Sequence, residues 1–315
     1  MNEYDLVVVG SGASGLSAAT KALKEGIQNV LLLEQEEVLG GNLNLFINDG
    51  FGEYLLGKKV TGPELSSILI EQFLDLNGEY KVNARVLDIK EDKVITYVSP
   101  EDGIDEIKAK AIIIANGCRE ISTGTILIPI HKYTGIFTKA EAHRLVNLNG
   151  YLPGKYVVLT GDDRWILILA RRLIIEGAHL QAVVTKMDSF EGIEKGIIDD
   201  FDIPVIYNSE ISEIGGDERV SYVKVKNLDS KEEETINCDS LVLSMCNSPD
   251  IRTLHMLNVK SNNGIVEFNE NNEINTKGIF VCGTVARGID GLLTSGEDGD
   301  KIGTKVADYI KRYLY

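Results

Sequence analysis

The strongest constraint on the fold of this chain lies in its first twenty-four residues. Asp5-Leu-Val-Val-Val9 is a short apolar run, and Gly10-Ser11-Gly12-Ala13-Ser14-Gly15 follows at once. Leu16 to Lys24 then has helical spacing. A strand, a glycine turn and a helix in this order make a dinucleotide-binding unit. Gly10 permits the tight turn, Gly12 leaves room for a pyrophosphate, and Gly15 brings helix and strand close together, while Ala13 and Ser14 belong to the same cofactor-binding turn. The free N–H groups of that helix end would face the phosphates. A lone GxGxxG is weak evidence, so the context decides. The second apolar strand, Val30-Leu-Leu-Leu33, ends in Glu34, nineteen residues beyond Gly15. A carboxylate at that spacing can accept the hydroxyls of an adenosine ribose.

Composition sets limits around this core. A chain of 315 residues with 43% hydrophobic content can fill two domain cores. The formal net charge of −16 argues against nucleic acid or an anionic membrane as a partner. The N-terminus has no basic region and runs directly into the first strand, so no signal peptide is expected, and no apolar run reaches the length of a membrane span. Cys118, Cys238, Cys246 and Cys282 form no CxxC pair and no metal-ligand spacing. They read as reduced, mostly buried thiols of a cytoplasmic protein. Cys118 follows a strand-end turn but has no second cysteine nearby for a disulfide role. The histidines at 131, 143, 179 and 255 are scattered.

Further along, Gly40-Gly41-Asn42 falls where a backbone would pass a bound cofactor, and Pro63 opens a helix expected over about 64–76. Tyr80 to Tyr97 alternates as strands, and Ala111-Ile-Ile-Ile-Ala115 is a buried strand that stops at Asn116-Gly117. Residues 118–150 read as a crossing, with a helix at about 138–147. A second strand-turn-helix unit follows: Tyr156 to Leu159, then Thr160-Gly161-Asp-Asp-Arg-Trp165, then a helix from about Ile166 to Ile175. Its second strand is Leu180 to Val184, and strand-like alternation continues from 203 to 246. Ile279-Phe-Val-Cys282 enters Gly283-Thr284, and a helix over about 297–312 closes the chain. The repeat of the opening unit predicts an α/β chain of two Rossmann-like, three-layer dinucleotide-binding domains. The second is inserted in the first: residues 1–122 and 248–315 form one domain and 123–247 the other.

Gly10-x-Gly12-x-x-Gly15 with Glu34, Gly40-Gly41, Ala115-Asn116-Gly117, the second unit from 156 and Phe280-Val-Cys-Gly283 together resemble the two-dinucleotide-binding-domain flavoproteins, the relatives of thioredoxin reductase. The resemblance implies FAD in the first domain and NAD(P) in the second. Shorter motifs, among them Asn48-Asp-Gly-Phe-Gly52, Thr61-Gly-Pro-Glu64, Gly117-Cys-Arg-Glu120, Ile126-Leu-Ile-Pro129 and Gly150-Tyr-Leu-Pro-Gly154, are similar to a narrower branch. That branch holds the flavoprotein subunits of anaerobic-type glycerol-3-phosphate dehydrogenases and, more distantly, the alpha subunits of sarcosine and opine oxidases. By the family pattern, the adenosine half of FAD meets the Gly10–Gly15 turn and Glu34, and main-chain groups near Val86 meet adenine. The flavin ring is lined by Gly40, Gly41, Asn42, the Gly283 turn and the helix start at Gly296, whose N–H donors would bring positive potential. The family's aspartate after the last-strand glycine is Thr284 here, which implies weaker binding.

The second site departs further. Aligned on Gly161, Asp163 takes the place of the second glycine and Ile166 the third, and Thr185 stands where a ribose-gripping residue belongs. Carboxylates about 4–5 Å from a phosphate in a partly buried site repel it by on the order of a few kcal/mol, and Ile166 would hold the helix off the strand. The second domain is therefore expected to fold without binding NAD(P) in the ordinary way, unless Arg164 or Arg171 rescues a phosphate in a shifted pose. The leading functional expectation is an FAD-dependent oxidoreductase, one subunit of a multi-component dehydrogenase with a protein redox partner or sister subunit. A homodimer is a further possibility. An NAD(P)H-dependent reductase with an altered site and a catalytically silent FAD-binding scaffold stand as alternatives.

Overall fold

The computed structural model describes residues 1–120, 132–245, 247–257, 259–262 and 265–314. The chain divides into two compact units, 1–119 with 247–315, and 120–246.

The first unit opens with β1 (Asn2–Val9), α1 (Ala13–Lys24), β2 (Val30–Leu33), α2 (Glu53–Leu56) and α3 (Gly62–Leu74), followed by β3 (Glu79–Lys81), β4 (Arg85–Ile89), β5 (Val94–Ser99), β6 (Gly103–Ile114) and β7 (Cys118–Glu120). A capping box starts α3: Thr61 accepts from the Glu64 N–H, Glu64 accepts from the Thr61 N–H, and Pro63 sits in the first turn. The buried strand expected at Ala111–Ala115 begins earlier, at Gly103. β6 is one twelve-residue strand that serves ladders of both kinds, antiparallel to β5 through Gly103–Lys108 and parallel to β1 up to Ile114. This is possible because its sequence changes from exposed and polar to an Ile112-Ile-Ile114 run buried on both faces.

The second unit comprises β8 (Ile136–Thr138), α4 (Lys139–Asn147), β9 (Tyr156–Thr160), α5 (Arg164–Ile175), β10 (His179–Val184), α6 (Ile193–Asp200), β11 (Val205–Ile206), β12 (Ser209–Gly216), β13 (Val220–Asn227), β14 (Glu233–Asn237) and β15 (Ser240–Leu243). Its sheet is parallel throughout, in the order β11-β10-β9-β15-β8. β12, β13 and β14 form an antiparallel meander whose Val223 and Val225 pack with Val158 and Leu241 of the sheet. α5 is buried continuously from Trp165 to Ala170. Such a helix is apolar nearly all round, which fits a position inside a layer and not on a surface.

The chain returns to the first unit through β16 (Asn247–Pro249), β17 (Ser261–Asn262), β18 (Ile265–Val266), β19 (Ile279–Val281), α7 (Thr284–Arg287) and α8 (Ser295–Leu314). β19 completes the sheet by pairing in parallel with β6, giving β3-β2-β1-β6-β5-β4 with β19 on β6. α8 lies so close to α1 that a Cβ on Gly299 would come within 2.2 Å of the Ser14 carbonyl oxygen, and one on Gly303 within 2.6 Å of that of Ala18. Among the described residues no helix is long and apolar enough to cross a membrane.

Candidate functional site

In the first unit the ends of β1, β6 and β19 meet at the carboxyl edge of the parallel sheet, where ligands of such sheets bind. Gly10 has φ +99, and a Cβ on it would lie 2.6 Å from the Ala115 carbonyl oxygen; one on Gly15 would lie 1.8 Å from that of Gly10. Both glycines are demanded by the fold. Gly12 is different: its φ of −65 and ψ of −177 suit any residue, and a Cβ there meets nothing within 4 Å. The space above it is open. Gly12 is also the N-cap of α1 and supplies no side-chain acceptor, although Ala13, Ser14 and Gly15 are buried. A buried helix end without a side-chain cap fits an external acceptor such as a phosphate.

Around this turn, Glu34 is 4% exposed. Its Oε2 accepts from the Ser11 N–H (2.8 Å) and hydroxyl (2.5 Å), and its Oε1 from the Glu36 N–H (2.9 Å). A carboxylate has about four acceptor positions, so one remains on Oε1. The Gly40 N–H donates to the Ser11 carbonyl at 3.2 Å, and a Cβ on Gly41 would stand 3.0 Å from the Gly12 Cα, which lays the glycine pair over the turn. Asn42 is exposed in the 3-10 turn Gly41–Leu45. Val86 is buried beside a register shift between Val86 and Asp88. A cleft lined by Ala13, Phe51, Leu55, Leu65, Leu292 and Gly296 opens beside the start of α8.

Ala115 is buried, and the Asn116 side-chain amide donates to the Asp250 carbonyl at 2.8 Å. A Cβ on Gly117 would lie 3.3 Å from Thr284 Oγ1, and the Cys118 thiol donates to the Thr284 carbonyl at 3.1 Å, so the turns after β6 and β19 face each other. Thr284 brings no carboxylate to this turn, but α8 does. Asp298, 6% exposed, accepts the Gly283 N–H on Oδ2 (2.6 Å) and Arg287 Nε and Nη2 on Oδ1 (2.9 and 2.7 Å). Neither Asp298 nor Arg287 was expected from the sequence; the available signal was an acidic pair opening the last helix and an arginine in the preceding glycine-rich loop. Glu297 and Asp298 occupy the first turn of α8, so carboxylates stand beside the N–H donors expected at that helix start. Gly296 has a packing reason, because a Cβ there would meet Leu55 Cδ1 at 2.5 Å.

The second unit repeats the register with different chemistry. Gly161 follows β9 as Gly10 follows β1, Asp163 caps α5 as Gly12 caps α1, and Thr185 follows β10 as Glu34 follows β2. Gly161 is again a close-approach glycine, its Cβ position being 2.4 Å from Ser244 Cβ. Asp163 Oδ1 accepts the Ile166 N–H at 3.1 Å, while Oδ2 receives Lys139 Nζ at 2.7 Å and the Ser244 hydroxyl. Lys139 is 6% exposed at the first position of α4, directed there by the capping box of Thr138 and Glu141. Asp162 Oδ1 accepts the Thr185 hydroxyl (2.8 Å) and the Lys186 N–H (2.9 Å).

Two expectations change here. The charge of Asp163 is balanced by Lys139, whereas Asp162 is bound by neutral donors, so the repulsion expected of the two carboxylates is offset at Asp163 alone. Ile166 does not hold α5 off the sheet; it is fully buried with Val157 and Leu159 and fills the interface. The two candidate rescuing arginines are engaged elsewhere: Arg164 lies 3.9 Å from Glu194 and over the Trp165 ring, and Arg171 lies over Phe201. Burial, then the neighbouring Lys139 charge, lowers the His143 pKa to about 4, and burial pushes the Glu120 carboxyl upward although the Ala140 N–H binds it. Burial also raises the thiols of Cys118, Cys238 and Cys282. His131, Cys246 and the Ile126–Pro129 motif lie outside the described residues. Among the described residues no group of three or more His, Cys, Asp or Glu side chains could hold a metal ion.

Two Rossmann-type units in one chain, the first with an open glycine turn, define the class of two-domain dinucleotide-binding proteins. The chain belongs to the pyridine nucleotide-disulphide oxidoreductase family, whose model matches residues 4–161 and 172–299. That family consists of FAD-dependent oxidoreductases, and FAD is the cofactor of this enzyme class. Similar proteins include the thioredoxin reductase of Bacillus subtilis (strain 168), 22% identical over 98% of this chain and 95% of its own. A 34.2 kDa protein in the rubredoxin operon of Clostridium pasteurianum is 26% identical over 98% and 97%. In fold the chain is similar to T. acidophilum thioredoxin reductase, with a TM-score of 0.81 at 24% identity, covering 98% of this chain and 99% of that one.

Proposed function

We propose that this protein is an FAD-dependent oxidoreductase that exchanges electrons with a protein partner or small acceptor instead of NAD(P)H, as the flavoprotein subunit of a multi-component dehydrogenase. The observation that carries the reading is the contrast between the two helix ends. α1 begins at a glycine with open space and no side-chain cap, whereas α5 begins at a carboxylate that is itself bound by Lys139 and Ser244. In this reading the Gly10–Gly15 turn holds the pyrophosphate, Glu34 Oε1 takes a ribose hydroxyl, and the main chain near Val86 meets adenine. Gly40, Gly41 and Asn42 on one side and the Ala115–Gly117 and Gly283–Thr284 turns on the other enclose the flavin side, with the cleft by Gly296 leading to it. Bound FAD supplies two-electron chemistry with single-electron steps available. The protein orients it, and Asp298 with Arg287 fixes the Gly283 turn.

The sequence has no CxxC pair, and among the described residues Cys118, Cys238 and Cys282 are free thiols, which supports electron exchange without a disulfide relay. The finer assignment to the branch with glycerol-3-phosphate dehydrogenase flavoprotein subunits rests on the short motifs alone. Anaerobic addition of NADH or NADPH to the purified FAD-loaded protein tests the reading. The flavin absorbance stays oxidised if the reading holds, while rapid bleaching by either nucleotide overturns it.

A further inference from the structure

We propose that Asp163 is a built-in anion in the second unit's phosphate subsite and that Lys139 and Ser244 hold it there, so that the donors a pyridine nucleotide's phosphate would use are already taken by a carboxylate. The proposal rests on the functional reading above and names the residues that set its donor specificity. A phosphate at a Rossmann turn is bound by helix N–H groups, a cation and hydroxyls. Those three donor types converge on the Asp163 carboxylate: the Ile166 N–H of α5, the ammonium of Lys139 from α4, and the hydroxyl of Ser244 after β15. The Asp163 side chain is 38% exposed while that of Lys139 is 8% exposed, so the carboxylate lies on the solvent side and the cation backs it.

The ribose end follows the same logic with polarity reversed. In the first unit the turn donates and the strand end accepts, Ser11 to Glu34. In the second unit the strand end donates and the turn accepts, Thr185 and Lys186 to Asp162. The second unit thus satisfies its own ligand-binding donors at both ends.

Asp163→Asn keeps a side-chain acceptor for the cap but removes the anion, leaving Lys139 and Ser244 facing the end of α5. Asp163→Ser does the same with a smaller side chain. The probe is inorganic pyrophosphate, titrated calorimetrically into the full-length protein loaded with FAD, so that the first turn is filled. The wild type is expected to show no saturable binding, and both variants to bind at least about tenfold more tightly than the wild-type limit, with affinity falling as salt rises. Lys139→Gln combined with Asp163→Asn should lose that binding. Pyrophosphate binding by the wild type equal to that of the variants, folded variants that do not bind, or undiminished binding in the double variant would each overturn the proposal. So would loss of cooperative unfolding in both single variants, since each retains the cap. Bleaching of the wild-type flavin by NADH is a separate result that overturns the functional reading itself.

Discussion

At the scale of single residues, the glycines of the first turn separate into two kinds, and the difference is measurable. Gly15 is required by packing, because a Cβ would overlap the Gly10 carbonyl, whereas Gly12 faces open space in a backbone conformation any residue adopts. Gly15→Ala should destabilise even the FAD-free protein, by about 1–3 kcal/mol as overpacked substitutions do. Gly12→Ala should leave the FAD-free melting temperature within about 2 °C of wild type and still weaken FAD by at least about tenfold in a fluorescence-quenching titration. Equal losses of stability in the two variants would contradict the assignment. Asp298→Ala strands the buried Gly283 N–H and should cost about 1–3 kcal/mol in urea unfolding. The glycine spacing was legible in the sequence because Gly15 meets Gly10 within six residues of chain, although Gly10 also abuts Ala115 after β6. The Asp298 pairing was not, because it depends on where α8 docks, and only then does a residue fifteen positions away reach the Gly283 N–H.

At the scale of elements, α8 is held by small residues facing α1. Gly303→Ala places a methyl against the Ala18 carbonyl and should lower the melting temperature without changing the FAD spectrum at saturation. α4 carries a different signature. His143 is neutral when folded, with its pKa lowered to about 4 from an unfolded value near 6.5 by burial and by Lys139, while Asp163 pulls the other way. Its contribution is fully present above pH 6.5 and is lost as pH falls through 4, because the unfolded chain takes up the proton first. A shift of this size corresponds to about 3 kcal/mol at most. Chemical unfolding of the second unit should therefore weaken between pH 6.5 and 4, and His143→Gln should flatten that slope. The alternation of strands and helices was readable from periodicity, and α4, α5 and α8 fall near their expected positions. α6 was missed because Gly192 and Gly196 interrupt its pattern, and β6 extends beyond the expected Ala111–Ala115 because its exposed first half has no apolar run.

At the scale of the whole molecule, a strand-turn-helix unit is used twice, and the two copies hold opposite donor and acceptor arrangements. The repeat itself was visible in the sequence, as were the lost glycines at Asp163 and Ile166. How Asp163 is satisfied was not visible, because Lys139 stands 24 residues before it and Ser244 81 residues after it, and only the parallel sheet order β9-β15-β8 brings both to one edge. The central claim is that nucleotide is held by the first copy and refused by the second. A crystal structure of the protein grown with excess FAD and NADP+ tests both halves together. The account predicts FAD at the Gly10–Gly15 turn, with Lys139 still paired to Asp163 and no nucleotide at the Gly161–Trp165 turn. NADP+ seated on that second turn, or a first turn without FAD, would contradict it.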